Sequence, residues 1–200
     1  MPETPSLADF ARERFADASV LVTGGAGFIG SHLVEVLAGA GARVAVLDNL
    51  QAGRWSNLDA AGDAVARREG DVRDAGDVEA ALAEHRPDVV FHLAANASVP
   101  GSVQDPVYDY EANASGTFVV LEALRRAGGC RKVVCASSGA VYGEPRSFPI
   151  VETDPLAPIS PYGASKLCAE VQARIFARVY DSPAVVARIF NSYGPRMARF

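Results

Sequence analysis

Three glycines at fixed spacing, Gly24, Gly27 and Gly30, stand between the apolar run Ser19–Thr23 and a stretch of helical periodicity over 29–40. Few features narrow a fold as much. In that position a glycine permits the tight strand-to-helix turn, lets backbone approach a pyrophosphate, and lets helix and strand pack closely. The helix opening there presents unpaired N–H groups and the positive end of its dipole to phosphate. A glycine-rich turn with no ligand has the same letters. The strand–turn–helix context is what favours a dinucleotide.

The alternation continues along the chain. Arg43–Asp48 reads as a second strand, with Gly39 and Gly41 marking the turn before it, and a short strand is expected near 64–69. A helix over 77–84, a strand over 87–93, a long amphipathic helix over 107–127 and a strand over 132–136 follow. A proline-rich loop over 143–161, a helix over 162–180 and a strand over 184–189 complete the pattern. Continuous apolar strands separated by helices predict an α/β fold, a doubly wound parallel sheet of Rossmann type with helices on both faces. Residues 19–200 then form one dinucleotide-binding domain, preceded by an extension, 1–18. In that extension Leu7, Phe10, Ala11 and Phe15 share one face of a short helix with Ser6 as its N-cap.

A 49% hydrophobic content suits one domain with a sizeable core. The net charge of -5, with no basic run beyond two or three residues, argues against a nucleic-acid or anionic-membrane partner. No apolar window reaches the length of a membrane span. Glu3, Asp9, Glu13 and Asp17 interrupt the N-terminal stretch, which does not read as a signal peptide. Cys130, Cys135 and Cys168 are odd in number and lack metal-ligand spacing, which fits a reduced, cytoplasmic setting.

Chemistry-bearing residues fall at the carboxyl ends of the expected strands. Asp48 ends the second strand, about twenty residues beyond the glycines, where a carboxylate accepts from adenosine ribose hydroxyls and repels a 2'-phosphate. That favours NAD over NADP, with Arg54 nearby as a softening influence; the plainer reading of Asp48 is a loop cap. Asp71 and Val72 stand where an adenine amino group and ring would be met, although a Gly-Asp-x-x-Asp stretch is also a common turn. Leu93, Ala94 and Ala95 are small or apolar enough for a cofactor to lie across the sheet edge. His92 beside them reads as a buried structural histidine rather than a catalyst. Tyr162 and Lys166 lie one helical turn apart on the same face. A free phenol titrates near about 10 and is a poor base at neutral pH, but a neighbouring ammonium together with a positive nicotinamide ring lowers it. Ser138, just after the fifth strand, is placed to hydrogen-bond a reacting oxygen and relay its proton to Tyr162. Each of these also has a bland reading, a surface pair and a turn serine.

Seven motifs taken together resemble the extended short-chain dehydrogenase/reductases, and among them the nucleotide-sugar epimerases and dehydratases of the UDP-glucose 4-epimerase type. They are Thr23–Gly30, Asp48–Leu50, Gly70–Asp74, His92–Ala95, Ser137–Gly143, Ser160–Lys166 and Arg188–Arg196. The resemblance implies that Gly24, Gly27, Phe28, Ile29 and Gly30 hold the pyrophosphate side of NAD and that Asp48 and Asn49 hold its ribose. It implies Asp71 and Val72 beside adenine, and Leu93, Ala94, Ala95, Asn113 and Phe190 along the cofactor. Ser138, Tyr162 and Lys166 become the catalytic trio, with Tyr162 and Lys166 also touching NAD. Ser98, Ser138, Tyr162 and Asn191 would meet the sugar nucleotide, as would Arg196, which suits a uronate carboxylate. Two segments, 107–127 and 162–180, resemble helices that pair two subunits of a homodimer.

Dehydratases of this type carry an acid pair directly before the Val-Tyr-Gly step, and related decarboxylases a glutamate. Gly139 and Ala140 stand there in this chain, and neither is an acid or base. The expected reaction is therefore 4-epimerisation of a UDP-hexose, UDP-N-acetylhexosamine or UDP-hexuronate through a transient 4-keto sugar, with a reductase, a dehydratase or a non-catalytic NAD-binding module as alternatives. Family members continue into a smaller segment covering the sugar nucleotide, so the resemblance also implies that this chain is a fragment.

Overall fold

The computed structural model of the chain describes residues 6–197. Glu3 and Phe200, used above in reading the chain's two ends, lie outside them. Six strands form one sheet: β1 Ser19–Thr23, β2 Arg43–Asp48, β3 Ala66–Glu69, β4 Val89–His92, β5 Lys132–Ser138 and β6 Ala184–Ile189. Their order is β3-β2-β1-β4-β5-β6, and every pairing is parallel. This is the doubly wound arrangement, whose order reverses between β1 and β4 and leaves a crevice outside the carboxyl ends. The register sets Thr23 opposite Leu47 on one side and His92 on the other, so the ends of the central strands share one edge.

Seven α-helices are found among the described residues: α1 Leu7–Phe15, α2 Phe28–Gly39, α3 Ala75–His85, α4 Val99–Gln104, α5 Pro106–Tyr110, α6 Gly116–Ala127 and α7 Pro161–Val179. Two apolar clusters sandwich the sheet. Val20, Val22, Val44 and Val46 meet Val34, Leu37 and Leu58 on one face. Leu21, Leu47, Val90 and Val133 meet Val78, Leu82, Leu121 and Phe176 on the other. Burying one such aliphatic side chain stabilises by about 1.5–3 kcal/mol, which is why β1 and β2 are apolar at consecutive positions rather than alternate ones. The helix starts are set by local chemistry: Asp74 accepts from the Gly76 and Asp77 amides ahead of α3, and Ser160 accepts from Gly163 ahead of α7, with Pro161 at the first turn. Ser6 caps α1 through the Asp9 amide, as its sequence suggests.

Two expectations change. The single helix over 107–127 is instead α5, a π-turn over Glu111–Ser115, and α6. Thr117 Oγ1 donates to the Asn113 carbonyl at 2.6 Å, one of several buried side-chain bonds that favour the wider turn locally. Strand β5 runs to Ser138 rather than stopping at Ala136, because β6 pairs with it as far as Ser138 opposite Ile189. At the β5–β6 edge, burial alternates along β5 and Val185 is 45% exposed. The short helix α4 and 3-10 turns over Trp55–Ala61 and Gly139–Tyr142 escaped the sequence pattern, being too brief to show a period.

Candidate active site

The glycine turn lies where β1 meets α2. Gly24 has φ 70, and a Cβ there would stand 2.6 Å from the Ala94 backbone nitrogen. A Cβ on Gly30 would stand 2.2 Å from the Gly24 carbonyl oxygen. Only backbone fits at either point. Gly27 is the N-cap of α2 and brings no side-chain cap. The first amides of this helix, from Phe28 onward, therefore keep the unpaired donors that suit an anion. Phe28 lies edge-on to His32, and Ile29 is 39% exposed beside it.

Asp48 is buried, and its two oxygens accept from the amides of Ala26 and Leu50, both at 2.9 Å. Burial pushes its carboxyl up, and the Leu50 and Ala26 hydrogen bonds draw it back down. The loop-cap reading is thus what the carboxylate does inside this chain: it splints the glycine turn to the end of β2. Asp71 is likewise held within the chain. Arg73 grips it through Nε at 3.0 Å and Nη2 at 2.8 Å, and Asn49 donates to it at 3.0 Å. The Arg73 hydrogen bond is the main reason this carboxyl sits at about 2, against the opposing effect of burial. Its acceptor capacity is largely taken up by neighbours, and Asn49 is spent on it rather than pointing free. Arg73 shares a loop with Asp71, and its stacking 5.0 Å from the Tyr108 ring centroid and its bond to Glu111 tie that loop to α5 and the π-turn. Val72 is buried against Gly116. Arg54 is exposed.

His92 is the hinge of the crevice. Its Nδ1 lies 2.7 Å from Thr23 Oγ1 and its Nε2 lies 3.0 Å from Thr117 Oγ1. Because Thr117 donates to the Asn113 carbonyl, it accepts from His92, which assigns the proton to Nε2; Nδ1 then accepts from Thr23. Burial, with the Lys166 charge behind it, holds the imidazole down to about 3, so it is neutral and structural. Thr23 Oγ1 also accepts from the Ala94 amide at 3.3 Å. This chain of bonds places Leu93, Ala94 and Ala95 along the crevice, half-buried.

Ser138, Tyr162 and Lys166 converge at the next strand end. Ser138 closes β5 and its Oγ accepts from Ala140 at 3.2 Å. Tyr162 sits in the first turn of α7, its amide donating to the buried Ser102 Oγ at 3.1 Å. Lys166 is buried one turn on and donates to the Ala136 carbonyl at 3.0 Å. Burial pushes the Tyr162 phenol up; a hydrogen bond with Ser138 draws it down, and the Asp109 charge pushes it further up. Lys166 is itself brought down to about 8 by burial, with Cys135 and Asp109 pulling it upward.

The remaining candidates divide. Phe190 is 54% exposed, stacked on Tyr142 at 6.2 Å, and a Cβ on Gly139 would stand 2.8 Å from its ring. Asn191 is exposed beside it. Ser98 caps α4 by accepting from Gly101 at 3.0 Å. Asn113 is buried, and its amide is spent on Asn96, Asp109 and Ser165, so it braces the site from behind. Arg196 is bonded within the chain. Its guanidinium donates to Glu35 at 2.5 Å, to the Asn57 carbonyl at 2.8 Å and toward His32 at 2.9 Å, which ties the segment after β6 to α2. Those partners compete directly with any substrate carboxylate.

The model of the NAD dependent epimerase/dehydratase family matches residues 20–200. A UDP-glucose 4-epimerase of Mycolicibacterium smegmatis is 46% identical over 179 residues, 88% of this chain and 56% of the relative. The UDP-glucose 4-epimerase of Thermus thermophilus, solved in complex with NAD, superposes with a TM-score of 0.85 at 48% identity, covering 90% of this chain and 57% of that one. The dTDP-glucose 4,6-dehydratase DesIV of Streptomyces venezuelae, solved with NAD and TYD bound, gives a TM-score of 0.83 at 39% identity, over 89% and 57% of the two chains. The chain spans little more than half the length of these relatives.

Proposed function

The chain belongs to the NAD dependent epimerase/dehydratase family, and from that premise we propose that it is the cofactor-binding and proton-transfer part of a nucleotide-sugar 4-epimerase. The observation carrying this reading is the pairing of a converged Ser138–Tyr162–Lys166 trio with Gly139 and Ala140 beside it. A dehydratase of the type resembled needs an acid pair at those two positions. Gly139 instead lies under the Phe190 ring, which a side chain there would displace.

The residues fit NAD. The glycine turn has room for backbone alone, and the helix start beyond it keeps unpaired donors. Gly24, Gly27, Phe28, Ile29 and Gly30 would hold the pyrophosphate, with Asp48 and Asn49 toward the ribose, Asp71 and Val72 toward adenine, and Leu93, Ala94 and Ala95 along the crevice. NAD, when bound, would supply a reversible two-electron acceptor for the sugar carbon. Tyr162, as phenolate, would take the C4 hydroxyl proton, with Ser138 bridging, and return it when the opposite face is reduced. Lys166 holds a buried positive charge one turn behind. Apolar walls retain the 4-keto sugar while it turns. A UDP-sugar is the proposed substrate, and the cytoplasm the proposed setting. Val107 and Phe118, with Val171 and Ile175, leave apolar side chains exposed along the two helical segments 107–127 and 162–180, and we assign these to a homodimer interface.

The test is to incubate the full-length protein, with NAD, separately with UDP-glucose, UDP-N-acetylglucosamine and UDP-glucuronate, following the C4 epimer by anomeric proton NMR. One galacto-configured product, without net NADH and lost in Tyr162→Phe, is the expected result. Bound NAD with no epimer from any of the three would overturn the epimerase reading.

A further inference from the structure

A buried carboxylate lies behind the proton-transfer pair. Asp109, in α5, is 0% exposed, and neutral donors meet it: Asn96 Nδ2 at 2.9 Å and Asn113 Nδ2 at 3.1 Å on Oδ1, and Ser165 Oγ at 2.5 Å on Oδ2. A buried charge persists only where hydrogen bonds saturate it and an opposite charge is near. Lys166 is also buried, and its Nζ is held by a backbone carbonyl rather than by an acid. The connection to Lys166 and Tyr162 is structural as well. Ser165 stands between them in α7, and its hydroxyl, bonded to Asp109, also lies 3.0 Å from the Tyr162 carbonyl oxygen. The π-turn turns Asn113 inward so that its amide bridges Asp109 and Ser165, while its Oδ1 accepts from the Asn96 amide at 2.8 Å. One carboxylate thus joins α5, the π-turn, the loop after β4 and the first turn of α7.

We propose that Asp109 is a positioning residue that locks the start of α7 through Ser165 and so sets the placement from which Tyr162 and Lys166 act. It rests on the proposed function only for the meaning of turnover, not for the titration. A negative charge favours the neutral phenol and the charged ammonium alike, and Asp109 acts in that direction on both. The other titratable groups in this region are Cys135 from β5 and His92 from β4, both buried and uncharged at neutral pH, the thiol held up to about 12 by burial and the imidazole down to about 3. Helix α4 brings none; Asp105 and Glu111, at the two ends of α5, are exposed, Glu111 facing Arg73 at 3.3 Å.

The experiment is an ultraviolet titration of tyrosinate in the full chain with NAD, comparing the parent with Asp109→Asn and Asp109→Glu. Each is corrected by its own Tyr162→Phe counterpart, so that only Tyr162 is read. Asp109→Asn keeps the shape and removes the charge; the Tyr162 midpoint is expected to fall by about one pH unit. Asp109→Glu keeps the charge and moves the oxygens; its midpoint is expected to stay near the parent's while turnover falls several-fold. An Asp109→Asn midpoint equal to the parent's overturns the proposal, since a merely structural role would lower turnover without moving it. Should Asp109→Asn not fold, the carbon-13 carboxyl signal of Asp109 in the parent decides: a step at the Tyr162 midpoint supports the coupling, and a flat signal refutes it. A shifted midpoint in a protein that epimerises nothing would remove the proposed function and leave Asp109's role standing; turnover with an unmoved midpoint would do the reverse.

Discussion

Replacing Glu170 by glutamine tests how the far wall of the site is held. Glu170, in α7, is 1% exposed and receives Ser137 Oγ at 3.0 Å, Arg188 Nε at 3.1 Å, and further bonds from Arg188 Nη2 and Arg174 Nη2. Arg188 passes the constraint on, donating to Tyr142 Oη at 2.6 Å and to the Glu152 carbonyl at 3.0 Å, and Tyr142 stacks on Phe190. Removing one partner of a buried pair leaves the other charge uncompensated, which costs about 3–5 kcal/mol. Glutamine still offers one acceptor, so about 3 kcal/mol is expected, or a Tm lower by roughly 6–12 °C for a domain of this size. Arg174, with 59% of its side chain exposed, is the contrast: Arg174→Gln should cost about 0–1 kcal/mol. Burial alone would raise the Glu170 carboxyl, but Arg188, Ser137 and Arg174 together hold it below its ordinary value. A depressed acid stabilises fully above its unfolded value of about 4.3 and loses that contribution as pH falls through the folded one. The gap between parent and Glu170→Gln, read by circular dichroism melts and urea unfolding, should therefore close below pH of about 4. Equal losses for Glu170→Gln and Arg174→Gln at neutral pH would refute the reasoning.

Two further outcomes follow from the crevice. Gly24→Ala places a Cβ on a φ of 70 and against the Ala94 backbone, so it should destabilise by about 1–2 kcal/mol and weaken NAD binding at least tenfold by calorimetry. For His92, held at about 3 in the fold, the unfolded imidazole takes up a proton below about 6.5 that the folded one refuses. Stability should then fall by up to about 1.4 kcal/mol per pH unit between those values, and urea titrations of His92→Gln should show that slope reduced.

What was legible in the chain was whatever local sterics and periodicity carry. The apolar runs of β1 and β2, the glycine turn, the caps at Ser6 and Ser160 and the one-turn spacing of Tyr162 and Lys166 depend on neighbours within a few residues, and each stands where its pattern puts it. The break at Glu111–Ser115 was not legible, because its cause lies in side chains that meet only in the folded state. A serine and an acid 56 residues apart, Ser165 and Asp109, give no signal to each other along the chain.

The same division separates the site's identity from its wiring. Residue types and spacing by themselves determined a doubly wound sheet with a dinucleotide turn and a tyrosine–lysine pair at the edge of a later strand. Only the tertiary structure decided what those groups are bonded to: that Asp48 splints the glycine turn, that Arg73 reaches the Tyr108 ring, that His92 is neutral with its proton on Nε2, and that Arg196 is spent on Glu35, 161 residues away. Right-handed crossovers bring strand ends from all along the chain to one edge. Which partner satisfies each buried donor or acceptor there is a matter of three-dimensional distance, and no local pattern encodes it.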